Sequence, residues 1–487
     1  MYGAGVPGVS SSDGIETTGY VSNVTQAVSK ETQQSANPWL TFWLCGTATF
    51  IGTLDFSVVN VAFIEIERSF AGVSRATISW TVTAYSILYG SLLIVSGRTA
   101  DRVGRRNVFS AGVTVFLLGS VVCASAPSVM VLIVGRGLQG TGAAMLTPSA
   151  LGMMIAAFPA ERRSQMVAWN TAMAALGVAA GPTFGAVLIG AFDWRAAFWV
   201  NIPICLGVLV LVRKVHAPPP VDRGPMPDVV AALLLTIAVG ATVWGIAETE
   251  TVGVSDIRVW GALLVAVVFA GFVIHRTRTS ETPLLPRVMF QNRSMNLANV
   301  AMIIWGGAFS GNILNNVLFL RTEWKYGIVA AGLLSVLSPI TVATTSFFVG
   351  RNVSRLGLRN LLIFGSACFL CCQLGFLFLV NSNRTPWSTW LPLMFLLGVG
   401  IGCASPAIAA SAVQHAPPEQ LALAGALNST CRQIGAALGV AVLVAVQLTS
   451  EGLGSFRAGW LTMAVFALVS GAISVWQPRQ RSDASVA

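Results

Sequence analysis

Gly97-Arg98-Thr99-Ala100-Asp101-Arg102-Val103-Gly104-Arg105-Arg106-Asn107 is a short polar run between two long apolar ones, and it comes twice. Farther on the chain reads Gly350-Arg351-Asn352-Val353-Ser354-Arg355-Leu356-Gly357-Leu358-Arg359-Asn360, which matches the first run at six of eleven positions. A second pairing recurs at nearly the same offset: Asn170, Thr171, Gly177 and Gly181 against Asn428, Ser429, Gly435 and Gly439. Self-similarity at a fixed spacing marks an internally repeated architecture.

What flanks the two runs tells what is repeated. A hydrocarbon core of about 30 Å takes about 20 apolar residues per helix. By that measure spans fall at 39–63, 77–96, 108–126, 129–156, 166–190 and 196–213, and again at 294–319, 328–349, 360–380, 388–413, 420–446 and 458–476. Two more, 227–247 and 258–275, lie between the groups. The expected fold is an all-α membrane protein with 14 transmembrane helices: two parallel-repeat six-helix bundles plus two extra helices between them. An even number of spans per copy gives both copies the same orientation, as in transporters built from two six-helix halves.

The expected divisions are a disordered cytoplasmic tail at 1–37, a six-helix bundle at 38–213, and a linker with the two extra helices at 214–293. A second bundle at 294–476 and a cytoplasmic tail at 477–487 complete them. The first tail is rich in Ser, Thr, Gly and Gln, and no cleavable signal is expected ahead of the first span.

Composition agrees, with 54% hydrophobic and 10% charged residues and a mean hydropathy of +0.73. A soluble chain carries about 25% charged residues. The net charge of +10 does not gather on one polar domain, as a nucleic-acid surface requires, but sits in short loops. Nineteen of the 29 Lys and Arg residues fall on one side of the alternating loops, which predicts that both termini are cytoplasmic. The eight cysteines lie inside apolar runs as small hydrophobes, and no metal or cofactor is expected.

Four stretches carry a family resemblance. Gly97 to Asn107 is similar to the loop motif after helix two of the major facilitator superfamily, and Arg136-Gly137-Leu138-Gln139-Gly140 resembles its helix-four motif. Gly177 to Gly185, containing Gly181-Pro182, resembles the helix-five motif associated with exporters. Leu54-Asp55-Phe56-Ser57-Val58-Val59-Asn60-Val61-Ala62 resembles the first-helix motif of the fourteen-span drug/proton antiporter branch. The chain departs from the pattern at Ser57, where threonine is usual, at Phe63-Ile64 in place of Leu-Pro, and at Ala186 in place of a second glycine.

The resemblance implies a proton-coupled secondary transporter of the plasma membrane that exports amphiphilic small molecules or drugs. Its partners would be the substrate, protons and the lipid bilayer, without ATP or nucleic acid. An importer, or a dedicated carrier of an endogenous metabolite or lipid on the same scaffold, is the alternative; Gly181-Pro182 favours export.

Asp55 is the only carboxylate deep in any predicted span, and an intramembrane acid is costly enough to be functional by default. It lies about 12 Å from the outer end of its helix at 1.5 Å per residue. Arg136 falls at similar depth on helix four, so an ion pair is geometrically allowed. Burial favours the neutral acid and the arginine favours the carboxylate, so a change in their separation loads or releases a proton. A purely structural salt bridge between helices one and four is the other reading.

Arg432 has no acidic partner within the spans of the second group. It can line a cavity and meet an anionic or polar substrate group, or donate to free backbone carbonyls. Gly97, Asp101, Arg102, Gly104 and Arg105 form the loop motif, whose charge network, by resemblance, locks the cytoplasmic side shut in the outward-facing state; its arginines also serve topology. Gly177, Gly181 and Gly185, with Pro182, offer close helix packing and a bend. Trp80, Tyr85, Trp305, Phe309, Asn312 and Asn316 are candidates to line a cavity for amphiphiles.

Two other classes are set aside. The three histidines, His216, His275 and His415, lie in separate loops with no nucleophile arrangement, so an enzyme is not expected. Lys30, Lys214 and Lys325 follow no phosphate-binding glycine loop, so neither is an ATP-driven pump.

Overall fold

The structure, a computed structural model, describes residues 37–159, 162–215, 228–253, 255–280, 292–413 and 421–475. The expected disordered tail, most of the linker ahead of the extra helices, the 477–487 tail, His216 and His415 lie outside the described residues. Among those described, every regular element is helical.

The first group comprises α1 (Pro38–Ser69), α2 (Arg75–Val103), α3 (Arg105–Ala124), α4 (Val129–Ala157), α5 (Arg163–Ala191) and α6, in two pieces (Ala196–Trp199 and Asn201–Val212). Then come α7 (Val229–Val252) and α8 (Ile257–Thr279), whose last turns carry His275. The last group comprises α9 (Arg293–Thr322), α10, in two pieces (Ile328–Ser335 and Leu337–Leu356), α11 (Leu358–Leu379), α12 (Leu391–Val413), α13 (Leu421–Gln447) and α14 (Leu453–Val475). Over the described residues, a helix lies in each range read from the sequence. Among the described residues twelve are long and apolar enough to cross a membrane, while Leu176–Ala191 and Ala196–Val212, from α5 and α6, pass that test only as a pair bent by 119°.

The polar run that opened the sequence is the corner between α2 and α3. Gly104 ends one helix and begins the next at φ 102°, and Gly357 does the same between α10 and α11 at φ 75°. A side chain is strained at such angles, which accounts for a glycine at this place in both copies. Other helices start on side-chain caps: Ser74 on α2, Ser128 on α4, Asp228 on α7 and Asn292 on α9.

Packing follows the repeat. α1 packs on α5 as α9 packs on α13; α3 pairs with α4 as α11 with α12; α2 lies on α4 as α10 on α12. The groups meet where α2 touches α13 and α5 touches α10. Glycines permit the closest of these contacts. A Cβ on Gly181 would strike Ser57, and one on Gly435 or Gly439 would strike the backbone of Ile303 or Gly307.

The two extra helices lie to one side. α7 fills the seam between α2 and α13, where Val239 and Val243 pack with Ile87, Ala437 and Ala441. α8 leans on α7 and exposes Ile257, Trp260, Leu264, Val267 and Phe272, an apolar face of the kind that lipid covers. Arg276 Nε donates to Asp228 Oδ2 at 2.9 Å and ties the two together. Burial pushes the Asp228 carboxyl up, but this bond and the Ala231 N–H outweigh it and hold the acid below its ordinary value.

Besides the α2–α13 contact, where Thr430 Oγ1 donates to the Gly90 carbonyl at 2.8 Å, the groups also meet at the end where α1 and α9 finish. Arg321 of α9 forms an ion pair with Glu65 of α1, Gly332 of α10 presses on Pro182 and Ala186, and Gly190 faces Ile328. At the other end Arg105 Nε donates to Asp101 Oδ1 at 2.9 Å and its Nη1 to the Gly152 carbonyl at 2.8 Å, joining α2, α3 and α4, while Arg106 donates to the Val215 carbonyl at 3.2 Å.

Candidate functional site

Two polar centres stand out among the apolar helices, one within the first group and one between the two groups. The first is built on Asp55, near the middle of α1, and Arg136, two turns into α4. Both side chains are fully buried, and Arg136 Nη1 is ion-paired to Asp55 Oδ2. The other carboxylate oxygen accepts from Gln139 Nε2 at 3.0 Å and from Asn201 Nδ2 at 2.8 Å. Arg136 also donates to the Thr81 carbonyl at 2.8 Å and to Gln139 Oε1 at 2.7 Å, and its guanidinium lies 4.5 Å over the Tyr85 ring. Ser120 Oγ accepts from Gln139 Nε2 at 2.9 Å, closing the shell from α3.

Such a shell is what a buried ion pair needs, because each charge taken from water costs several kcal/mol unless geometry and further hydrogen bonds compensate it. Three donors, from Arg136, Gln139 and Asn201, converge on the carboxylate. One guanidinium nitrogen, Arg136 Nη2, has no hydrogen-bond partner among the described residues.

The second centre is a cavity of about 340 Å³ between the groups. Thr53, Ser57 and Val61 of α1 and Ala174, Val178 and Pro182 of α5 form one wall. Trp305, Phe309, Asn312 and Asn316 of α9, Ser335 and Ser338 of α10, Ser405 of α12 and Arg432 of α13 contribute to the other. The polar groups of α9 are held from behind: Asn312 Oδ1 accepts from Gln373 Nε2 at 2.8 Å, Asn316 Oδ1 from Trp460 Nε1 at 2.9 Å, and Trp305 Nε1 donates to Ser405 Oγ at 2.6 Å. A wider groove of about 530 Å³ at the α5–α6 turn is an open surface feature, and its Asp193 and Arg195 pair with each other.

The two centres share α1. Residues two apart on a helix lie about 200° around its axis, so Thr53 and Ser57 face the cavity while Asp55 faces Arg136 on the opposite side.

The candidates from the sequence are thus divided. Asp55 and Arg136 meet, and Trp305, Phe309, Asn312, Asn316 and Arg432 converge on one cavity. Tyr85 and Trp80 lie elsewhere: Tyr85 covers Arg136 and donates to the Gly52 carbonyl at 3.2 Å, and Trp80 packs at the α7 seam. Of the motif residues, Asp101 and Arg105 pair, Arg102 sits in the last turn of α2, and Gly97 lies against Pro148. Gly177, Gly181 and Gly185 face α1, with Pro182 at the cavity wall.

Gln139, Asn201, Ser120 and the Glu65–Arg321 pair had not been singled out. Gln139 was within reach, since it stands three residues from Arg136, one helical turn, inside the quoted helix-four motif. Asn201 is an amide in an otherwise apolar span. Glu65 and Arg321 sit at span ends, where charge is ordinary.

Residues 45–440 match the sequence profile of the Major Facilitator Superfamily. Multidrug resistance protein Stp of Mycobacterium tuberculosis is 32% identical over 424 residues, covering 87% of this chain and 76% of that protein. A methylenomycin A resistance protein of Streptomyces coelicolor is 29% identical and covers 91% and 93%. Among solved structures, the POT family transporter PepTSo superposes with a TM-score of 0.67 at 15% identity, over 90% of this chain and 97% of that one. With the profile spanning most of the helical body, the chain belongs to the Major Facilitator Superfamily and is a membrane transporter, not an enzyme.

Proposed function

We propose that the protein is a proton-coupled antiporter of the plasma membrane that exports an amphiphilic small molecule from the central cavity. In this reading the chain crosses the membrane 14 times, with α5 and α6 as separate spans and both termini cytoplasmic. Residues 38–213 and 294–476 then act as two six-helix bundles rocking about the cavity, with α7 and α8 as an insertion between them. The Glu65–Arg321 pair closes the outer side, and the cavity is reached from the cytoplasm. Curated relatives bearing multidrug resistance and export names support the substrate class and the direction.

The observation that carries the coupling is the buried Asp55–Arg136 pair on the far side of the helix that lines the cavity. A pair that opens frees Asp55 to take a proton, and a substrate that displaces or rotates α1 so that Asp55 closes on Arg136 again expels it. Protonation in turn leaves Arg136 to the Thr81 carbonyl, Gln139 and the Tyr85 ring, so the shell that holds the closed pair also holds the open one. Each proton moving down the membrane potential contributes about 2.3 kcal/mol per 100 mV. The motif around Gly97, Asp101, Arg102, Gly104 and Arg105 and the α5 glycines beside Pro182 serve as gating elements.

Uptake of amphiphilic dyes into inverted vesicles, with and without a proton gradient, tests this. Gradient-driven uptake by the native protein that is lost in Asp55→Asn is the expected result. Uptake that ignores the gradient, or survives intact in the correctly inserted variant, removes Asp55 from the coupling and leaves a facilitator or a dedicated metabolite carrier.

A further inference from the structure

We propose that the central cavity selects amphiphiles bearing an acidic group and discriminates against cations, with Arg432 as the countercharge. The proposal rests on the reading of that cavity as the transport site and adds the charge of its substrate.

Four observations carry it. First, Arg432 is the one charged residue among the described residues that line the cavity, and no Asp or Glu lines it. Second, Arg432 is half-buried, and among the described residues its side chain makes no hydrogen bond or ion pair. A guanidinium carries five donors, and a partly desolvated one without an acceptor is poised for a carboxylate, sulfonate or phosphate. Third, its backbone is fixed where Gly306 of α9 packs directly on the Arg432 carbonyl, so the side chain projects from a defined point of the wall that Trp305 and Phe309 share. Fourth, the nearby negative charge cannot neutralise it or welcome a cation in its stead. Asp55 faces the opposite side of α1, and its oxygens are taken by Arg136, Gln139 and Asn201.

The remaining lining is neutral: amides and hydroxyls held by Gln373, Trp460 and one another, plus apolar and aromatic walls. Such walls accept the body of an amphiphile without regard to charge, so Arg432 decides the sign. An acidic solute and the headgroup of an anionic lipid share the required chemistry.

The test is equilibrium binding, by fluorescence anisotropy, of two xanthene dyes to the purified full-length protein in neutral detergent: carboxyfluorescein, an anion, and rhodamine B ethyl ester, a cation. The native protein is expected to bind the anion at least tenfold more tightly. Arg432→Gln should erase the preference and Arg432→Lys should keep most of it, with melting temperatures of all three within a few degrees. Repeating the measurement in phosphatidylcholine nanodiscs with and without phosphatidylglycerol separates the sources of the anion. Competition by phosphatidylglycerol in the native protein alone assigns the site to a lipid headgroup, and its absence to a soluble acid; either outcome keeps the charge rule.

Absent anion binding, a cation preference, or a preference unchanged in Arg432→Gln overturns the proposal. The antiport reading fails separately. Arg432-dependent anion binding without gradient-driven transport would sink the coupling and leave this selectivity standing, whereas gradient-driven transport of the cation alone would do the reverse.

Discussion

The two groups of helices use the same packing plan and opposite chemistry at their centres. Near the middle of α1 the chain buries Asp55, ion-paired to Arg136; at a comparable depth on α9 it buries Asn312, hydrogen-bonded to Gln373. Around Asn312 the theme continues without charge, with Asn315 accepting from Gln447 at 2.7 Å and Asn316 from Trp460. Neutral amides hold one arrangement at any pH. An ion pair can be undone by one proton. On the reading proposed above, the difference lets a repeated scaffold divide labour, with proton exchange assigned to the first group and substrate recognition largely to the second, joined through α1.

The sharpest way to break this comparison is to unbalance the charged centre. Arg136→Ala strands a buried carboxylate, and loss of one partner of a buried pair costs about 3–5 kcal/mol. The expected outcome is a large fall in thermal stability in detergent and little correctly inserted protein. Asp55→Asn should be milder, because Arg136 keeps the Thr81 carbonyl, Gln139 and the Tyr85 ring, so that transport is lost while the fold persists. Equal melting temperatures for Arg136→Ala and the native protein would show that the pair holds nothing together.

A moderate effect is expected from carrying charge into the other centre. Asn312→Asp places a carboxylate where Gln373 offers only an amide. Burial then favours the neutral acid, so the folded form binds the proton more tightly than the unfolded one. The variant should be destabilised by about 1–3 kcal/mol at neutral pH and regain stability as pH falls, a trend that thermal melts across pH 5–8 would reveal. A flat profile would mean that Arg432, which lines the same cavity, neutralises the new carboxylate.

The smallest effect concerns the seal between the groups. Glu65→Gln removes the ion pair with Arg321, which is partly exposed at Glu65 and contributes at most about 1 kcal/mol. That energy shifts an equilibrium a few-fold. Labelling of cysteines introduced on the cavity wall by an impermeant thiol reagent applied from outside should rise by that factor in the variant. An unchanged rate would locate the seal in the glycine contacts of Gly332 and Gly190.

Much of this was legible in the sequence, for physical reasons that also explain what was not. Long apolar runs tolerate few charges, so Asp55 and Arg136 announced themselves, and opposed helix directions brought them to one depth. Gly104 and Gly357 were visible because a corner that needs positive φ repeats the same residue. The five cavity residues on α9 and α13 were found as polar or aromatic residues within spans, but the same signal drew in Tyr85 and Trp80, whose faces only packing decides. Gln139, Asn201 and Ser120 were silent because an uncharged amide or hydroxyl costs little enough inside a helical bundle to occur without function. Glu65 and Arg321 are far apart in sequence and sit where charges are common, so only the closed arrangement of the groups reveals them.

The central claim, that one centre holds the proton and the other the substrate, is tested most directly by substrate-induced proton release. Carboxyfluorescein would be added to purified protein in weakly buffered detergent solution near neutral pH, and the pH change read with an electrode. The account predicts a proton exchanged on binding by the native protein, none in Asp55→Asn although the dye still binds, and a signal reduced with affinity in Arg432→Gln. Undiminished proton exchange in Asp55→Asn would contradict it, since the proton would then reside outside the Asp55–Arg136 pair.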